Sequence, residues 1–266
     1  MSTTHRAACP VCNRGPRDKA LSVTVDERGI VSYCHRCGYT AAENEQQQFR
    51  RIEPVRATSD KPLDWSERAE AIWKRTLPLR GSLGQIYLEH RGCALPPADS
   101  HLRFLAASDK YPPSLCAAVT DARSGKPISL HFTRLAPDGR GKAGTEQDKL
   151  LLAGHRKKGG CIRLWPDEAV ASALALAEGI ESALAAAHLT APVWAAIDAS
   201  NMSTFPVLNG VESLVIFADH DDTGIGAAKL CRRRWLESGR AVRIRRPHTK
   251  GWDIADAAAS VMVGAA

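Results

Sequence analysis

Three carboxylates follow apolar runs in a way that suits metal-assisted chemistry on phosphate. Asp219 and Asp221 come directly after Val215-Ile216-Phe217-Ala218, and Glu178 comes directly after Leu174-Ala175-Leu176-Ala177. Each run predicts a strand that delivers its acid to one edge of a sheet. In an open parallel sheet the functional crevice lies beyond the carboxyl ends of the strands, where separate segments converge. Carboxylates gathered there repel one another, and a hard divalent cation relieves the repulsion. Mg²⁺ usually takes only one or two protein carboxylates and fills its octahedron with water and phosphate oxygens. The competing reading is a solvated turn whose acids cap the following helix, which is the commoner use of a lone Asp-x-Asp.

The segments that must position these acids are readable from their spacing. Residues 180–187 are helix-prone, and residues 224–237 place apolar side chains at helical intervals. Gly179 and Gly224 supply tight turns, Ala241-Val242-Arg243-Ile244-Arg245 alternates like a strand, and the chain then passes Pro247. Two more acids, Asp253 and Asp256, follow in Lys250-Gly251-Trp252-Asp253-Ile254-Ala255-Asp256. The predicted order is β-α-β-β-α-β-α.

Ala177-Glu178-Gly179-Ile180-Glu181, Ala218-Asp219-His220-Asp221-Asp222-Thr223-Gly224 and Gly251-Trp252-Asp253 together resemble the three motifs of a Toprim domain, over residues 171–260. Three motifs in order outweigh the capping reading. The resemblance implies a Rossmann-like parallel sheet, with Glu178 as general base or acid and with Asp219 and Asp221 as ligands of Mg²⁺ or Mn²⁺. It adds Asp253 as a looser match to the late acidic motif. Primase-type Toprim domains often carry an acid four residues after the glutamate; Ser182 stands there, and Glu181 is the candidate to replace it.

Near the amino terminus, Cys9-Pro10-Val11-Cys12 and Cys34-His35-Arg36-Cys37 form two Cys-x-x-Cys knuckles at a spacing close to that of a four-cysteine zinc ribbon. Tetrahedral sulfur ligation favours Zn²⁺, and four protein ligands would make the metal structural. Residues 20–25 and 30–33 read as a hairpin carrying the second knuckle. Disulfides fit less well, because nothing at the start resembles a signal peptide and Cys93, Cys116, Cys161 and Cys231 stand alone. A ribbon followed by a basic middle and Toprim motifs resembles the primase half of bacterial and phage replication primases. That resemblance implies a single-stranded DNA template and nucleoside triphosphates as partners.

The 266 residues carry 36 Lys and Arg against 29 Asp and Glu, a formal net charge of +7. Residues 1–63, 64–170 and 171–266 hold +3, +5 and −1. Between Arg123 and Arg163 ten basic side chains face only three acids, which suits phosphate contacts or a solvated surface. Arg134, Lys142 and Lys149 are the candidates for nucleotide or template contact, with His131 and His155 as secondary ones. The expected organisation is a zinc ribbon over 1–40, a tether over 41–63, a mixed α+β basic subdomain over 64–170 and the Toprim domain over 171–260.

No apolar stretch approaches the ~20 residues of a membrane span, so the sequence predicts a soluble, cytoplasmic protein. There is no P-loop, since Gly125-Lys126 and Gly141-Lys142 are followed by Pro127 and Ala143. A helicase motor would have to be supplied separately. The function these features predict is a DNA primase; the alternatives are a Toprim-type metal-dependent nuclease and a non-catalytic accessory that binds single-stranded DNA.

Overall fold

Leu21, Val23 and Val25 alternate with Ser22 and Thr24, and that period-two pattern forms the expected hairpin. In the computed structural model, which describes residues 3–11, 19–26, 29–34, 39–43 and 64–263, the chain divides into two units, 1–61 and 62–266. The first unit is an antiparallel sheet in the order β1 (Thr3–Ala7), β2 (Leu21–Asp26), β3 (Gly29–Cys34) and β4 (Thr40–Glu43). β1 and β4 add an outer strand to each side of the predicted hairpin. Leu21 lies opposite Cys34, and these two bury with Cys9 in one small cluster flanked by Val23 and Tyr39. Beyond Glu43, the expected tether lies outside the described residues.

The second unit begins with two helices, α1 (Glu67–Lys74) and α2 (Leu83–His90), whose first turns are capped by the Ser66 and Ser82 hydroxyls. Five strands follow: β5 (Leu102–Leu105), β6 (Ser114–Asp121), β7 (Pro127–Arg134), β8 (Lys149–Leu151) and β9 (Gly160–Arg163). The last segment runs β10 (Ala173–Ala177), α3 (Ile180–Ala186), β11 (Val193–Ala195), α4 (Ala199–Thr204), β12 (Ser213–Phe217), α5 (Asp222–Glu237), β13 (Ala241–Arg245) and α6 (Ile254–Val263). It reproduces the predicted order with one addition: α4, a short helix capped by Asp198, between the second and third strands.

The sequence predicts a parallel sheet with an α+β subdomain against it; the strands instead join into one mixed sheet. Its order is β13-β12-β10-β11-β9-β6-β7-β8, with β5 also paired to β6. β10 to β13 are mutually parallel, whereas β9 runs antiparallel to both β11 and β6 and so joins the two halves. A residue larger than glycine at position 160 would not fit this seam, because an added Cβ would approach Val119 Cγ1 to 2.7 Å and the Lys157 carbonyl to 2.9 Å. Arg163 fixes the same seam. It is buried, lies 4.4 Å above the Trp194 ring and donates to Asp167 (2.6 Å) and to the Asp121 and Ala122 carbonyls.

α3 is buried along its whole length, which explains why its sequence shows no polar face. It shares a core with α2 and one face of the sheet, while α4 and α5 cover the other face of the parallel strands. There Trp235 is fully buried and stacks on Phe205 at 6.3 Å. α1 packs with Cys116, Leu130 and Phe132 of β6 and β7 in a third cluster. No helix among the described residues is long and apolar enough to cross a membrane.

Candidate functional site

The carboxyl ends of β10, β11 and β12 bring acids to one edge, as the strand pattern requires. Phe217 of β12 lies beside Ala177 of β10, so Glu178 and Asp219 follow neighbouring strand ends. The Asp219-His220-Asp221 turn is held down by the loop before α6: the His220 amide donates to the Trp252 carbonyl (2.9 Å), and the Gly251 amide to the His220 carbonyl (2.8 Å). That pinning carries Asp253 into electrostatic reach of Asp219. α5 packs so closely on the turn that a Cβ at Gly224 would meet the Asp219 carbonyl at 2.9 Å.

Glu178, Asp219, Asp221 and Asp253 have distinct environments. Asp219 is mostly buried, and its Oδ1 has no hydrogen-bond partner. Burial, reinforced by the negative charges of Glu178, Asp253 and Asp221, pushes its carboxyl up to about 7. Burial also raises Glu178, with Asp221 and Asp198 as the like charges, although Glu178 accepts a hydrogen bond from the Ala199 amide. Asp221 caps α5, its Oδ1 accepting from the Gly224 amide at 2.7 Å. Asp253 caps α6 through the Asp256 amide at 2.7 Å. Capping and proximity to Asp219 therefore coexist in both residues.

Glu181 occupies a different place. Its carboxylate is buried, accepts from the Tyr87 hydroxyl (2.9 Å) and Lys149 Nζ (2.9 Å), and lies 3.8 Å from Lys142 Nζ. Burial opposes its ionisation, yet the Lys149 charge and hydrogen bond, with Lys142 behind them, hold it at about 2. Its two oxygens are committed to these donors, so Glu181 acts as a lysine anchor. The lysine it holds faces the acids: the Lys149 charge is felt at both Glu178 and Asp219.

Two of the three basic candidates, Lys142 and Lys149, thus converge on this edge, and Arg134 does not join them. On β7, Thr133 lies opposite Lys149, and the next residue alternates to the other face. Arg134 donates instead to the Gln147 carbonyl at 3.4 Å. His131 is buried near Glu181 and Lys149, and burial lowers it to about 4, which keeps it neutral. His155 contacts the Ser66 hydroxyl at 2.8 Å and the Ala153 carbonyl at 3.1 Å, both packing roles.

The structure adds residues absent from the sequence motifs. Asp198, just beyond β11, caps α4 and binds Lys157 Nζ at 2.6 Å while adding its charge to Glu178. The preceding Ile197 holds φ at 78°, a left-handed conformation costly for a β-branched residue, and so turns the chain sharply at the sheet edge. An acid after the apolar run Trp194-Ala195-Ala196-Ile197 was the available signal. Tyr87 carried none.

Among the described residues no three His, Cys, Asp or Glu side chains form a ready-made metal cage. The acidic edge nonetheless fits a hard cation held largely by water and phosphate, since Asp219 presents a buried, unpartnered oxygen amid like charges. In the first unit, Cys9 and Cys34 bury in one cluster, while Cys12 and Cys37 lie outside the described residues.

A β-α-β sheet with a strand-end glutamate and an Asp-x-Asp turn defines a class, and comparison with known families gives it a name. Residues 173–262 match the Toprim domain, and residues 64–164 match a domain of unknown function (DUF7146). The second unit therefore carries a Toprim domain at its carboxyl-terminal side. No curated protein matches the chain. Solved structures similar to it include a DNA primase domain from Pseudomonas aeruginosa (16% identity, TM-score 0.37, covering 67% of this chain and 56% of that one). Others are the zinc-binding and RNA polymerase domains of the Aquifex aeolicus primase (13%, 0.43, 98% and 77%) and the primase fragment of the bacteriophage T7 primase-helicase protein (15%, 0.45, 98% and 94%). The chain spans little more than half of the Pseudomonas domain.

Proposed function

We propose that this protein is a DNA primase that joins nucleotides into short primers on a single-stranded DNA template. The observation that carries the reading is the pairing of an acidic edge with anchored lysines. Glu178, Asp219, Asp221 and Asp253 gather around one unpartnered carboxylate oxygen, and Lys149 and Lys142 are held beside them by Glu181. Such an arrangement suits a triphosphate, whose charge needs both a cation and ammonium groups.

Asp219 and Asp221 would hold Mg²⁺ or Mn²⁺, which when bound supplies charge neutralisation for the triphosphate and a lowered pKa for an attacking hydroxyl. The protein's own groups do the rest. The raised pKa of Glu178 suits a carboxyl that takes a proton from the attacking 3′-hydroxyl. Lys149 and Lys142 receive phosphate oxygens and offset charge on the departing pyrophosphate. Synthesis by the full chain of short products on single-stranded DNA, dependent on nucleoside triphosphates and divalent metal, is the expected result. Metal-dependent cleavage of DNA or RNA without nucleotides would make the protein a nuclease, and strand binding without either reaction would make it an accessory. A replicative helicase would act as a separate partner.

In the first unit, Cys9, Cys12, Cys34 and Cys37 would hold structural Zn²⁺. Binding energy at such a site is folding energy. Removing zinc with a chelator is expected to melt the β1–β4 sheet, read as loss of its dispersed amide signals by NMR, while those of residues 64–263 persist. Retention of the sheet signals after zinc removal would refute the assignment.

A further inference from the structure

All nine Lys and Arg residues after position 170 fall between Lys229 and Lys250, where Glu237 is the sole acid. The fold turns this clustering into a surface. Lys229, Arg232 and Arg233 are exposed on the later turns of α5, and Arg243, Arg245 and Arg246 are exposed on or just after β13. β13 is the outermost strand at that side of the sheet, paired on one side with β12. Arg232, Arg243 and Arg245 line a concavity of about 500 Å³ floored by Val242 and Ile244. Among the described residues none of the nine forms an ion pair with a carboxylate, unlike Lys142, Lys149, Arg156 and Lys157 in the other half of the sheet.

Charged side chains commonly protect an edge strand from pairing with other chains, but that role does not account for the exposed Lys229, Arg232 and Arg233 on α5. A field of unneutralised like charge destabilises the folded chain by self-repulsion, and a polyanion relieves it. The field also leads somewhere. Arg245 lies beside Phe217, two residues before Asp219, and the Arg246 guanidinium contacts the imidazole of His220 between Asp219 and Asp221. Arg243 and Arg245 project on the same side of β13, about 7 Å apart along the strand.

We propose that the β13–α5 edge is a track for the phosphate backbone of a single nucleic-acid strand running to or from the acidic edge. The track is separate from the lysines anchored by Glu181. The choice of a nucleic acid over an acidic protein rests on the reading of that edge as a nucleotidyl-transfer site. The contacts are cationic and sequence-independent, so they should appear in the salt dependence of binding.

The test is fluorescence anisotropy of a labelled single-stranded DNA oligonucleotide with the full chain across a range of salt concentrations. The triple variant Arg232→Ala/Arg243→Ala/Arg245→Ala should weaken binding at low salt at least about tenfold. It should also reduce the slope of log K against log salt by about 2, at roughly 0.7 per phosphate contact. The charge-keeping variant Arg232→Lys/Arg243→Lys/Arg245→Lys should retain the wild-type slope, which separates lost charge from lost fold. An unchanged affinity and slope in the alanine variant would overturn the proposal, and so would an unchanged slope with lost binding of poly-glutamate, which would mark an acidic-protein surface. Absence of primer synthesis by wild-type protein that still shows the arginine-dependent slope would remove the primase reading and leave the track standing.

Discussion

Asp219→Asn is expected to lower metal-dependent primer synthesis by at least about a thousandfold and, in the same protein, to raise the melting temperature measured without metal. The first effect follows from the loss of the one buried carboxylate oxygen at the edge that has no protein partner, since removing a group that supports transition-state charge costs on the order of 10²–10³ in rate and metal ligands cost more. The second follows from the raised carboxyl. A group held at about 7 when folded and near 3.8 when unfolded is harder to ionise in the folded state. Its ionisation therefore works against folding, with the loss growing as pH rises from about 4 through 7. After allowance for partial solvent screening, removal of the charge recovers about 2 kcal/mol at pH 8, a gain of several degrees for a protein of this size. Saturating Mg²⁺ should narrow the difference, because metal stabilises only the wild type. A variant that loses activity and stability together would show Asp219 to be a structural residue. Glu178→Gln, by contrast, should lose activity with a smaller gain in metal-free stability, because the Ala199 amide and the Lys149 charge offset part of the burial of its carboxylate.

Glu181→Gln carries the second large effect, in the opposite direction. Glu181 is the buried partner of Lys149 and Lys142 and is held at about 2 where an ordinary glutamate lies near 4.5. A folded-state pKa below the unfolded one stabilises the protein above about pH 4.5, and that contribution fades as pH falls toward 2. The difference is worth about 3 kcal/mol. Glutamine keeps an acceptor for the Tyr87 hydroxyl but not the charge, so the neutral-pH stability is expected to fall by about that amount in urea unfolding. The variant's stability should also vary less between pH 4.5 and 2. In the proposed reaction it should raise KM for nucleotide more than it lowers kcat, since the lysines remain but are no longer fixed. Unchanged stability at pH 7 would show that the Glu181–lysine contacts contribute nothing to the fold.

These two residues also mark how far the sequence could be read. Glu178, Asp219 and Asp221 were legible because each follows an apolar run long enough to be a strand, and a parallel sheet collects strand ends on one side. Glu181 was legible as an acid near the motif but not in its role. Its direction depends on α3 being buried on all sides, which an Ala-rich helix without a polar face does not announce. Arg134 looked equivalent to Lys149, but β-strand alternation separates them. The irregular segment between β7 and β8 hides that phase in the sequence, and only the pairing of Thr133 with Lys149 reveals it. Asp198 has only a weak signal in the sequence, because β11 has three residues, too few for a periodic pattern, and the left-handed turn at Ile197 follows it.

The middle of the chain was the least legible. β8 and β9 are short, and β9 in particular gains its meaning from tertiary placement between β6 and β11, a link no local pattern encodes. Several of its basic residues that looked available for phosphate are occupied in the fold. Arg156 bridges Asp64 and Asp121, and Arg163 is enclosed with Trp194 and Asp167. The unneutralised charge lies on the opposite edge of the sheet, in a segment whose balance was masked by the nine acids elsewhere in residues 171–266.

The edge built by Glu178, Asp219 and Asp221 is expected to hold a divalent cation. Titration of the full chain with Mn²⁺, followed by electron paramagnetic resonance of the free ion, tests it without reference to any reaction. After the first unit has been saturated with zinc, wild-type protein should still remove Mn²⁺ from solution, and Asp219→Asn should not. Equal uptake by the two proteins, or none by the wild type, would show that these acids do not bind the cation.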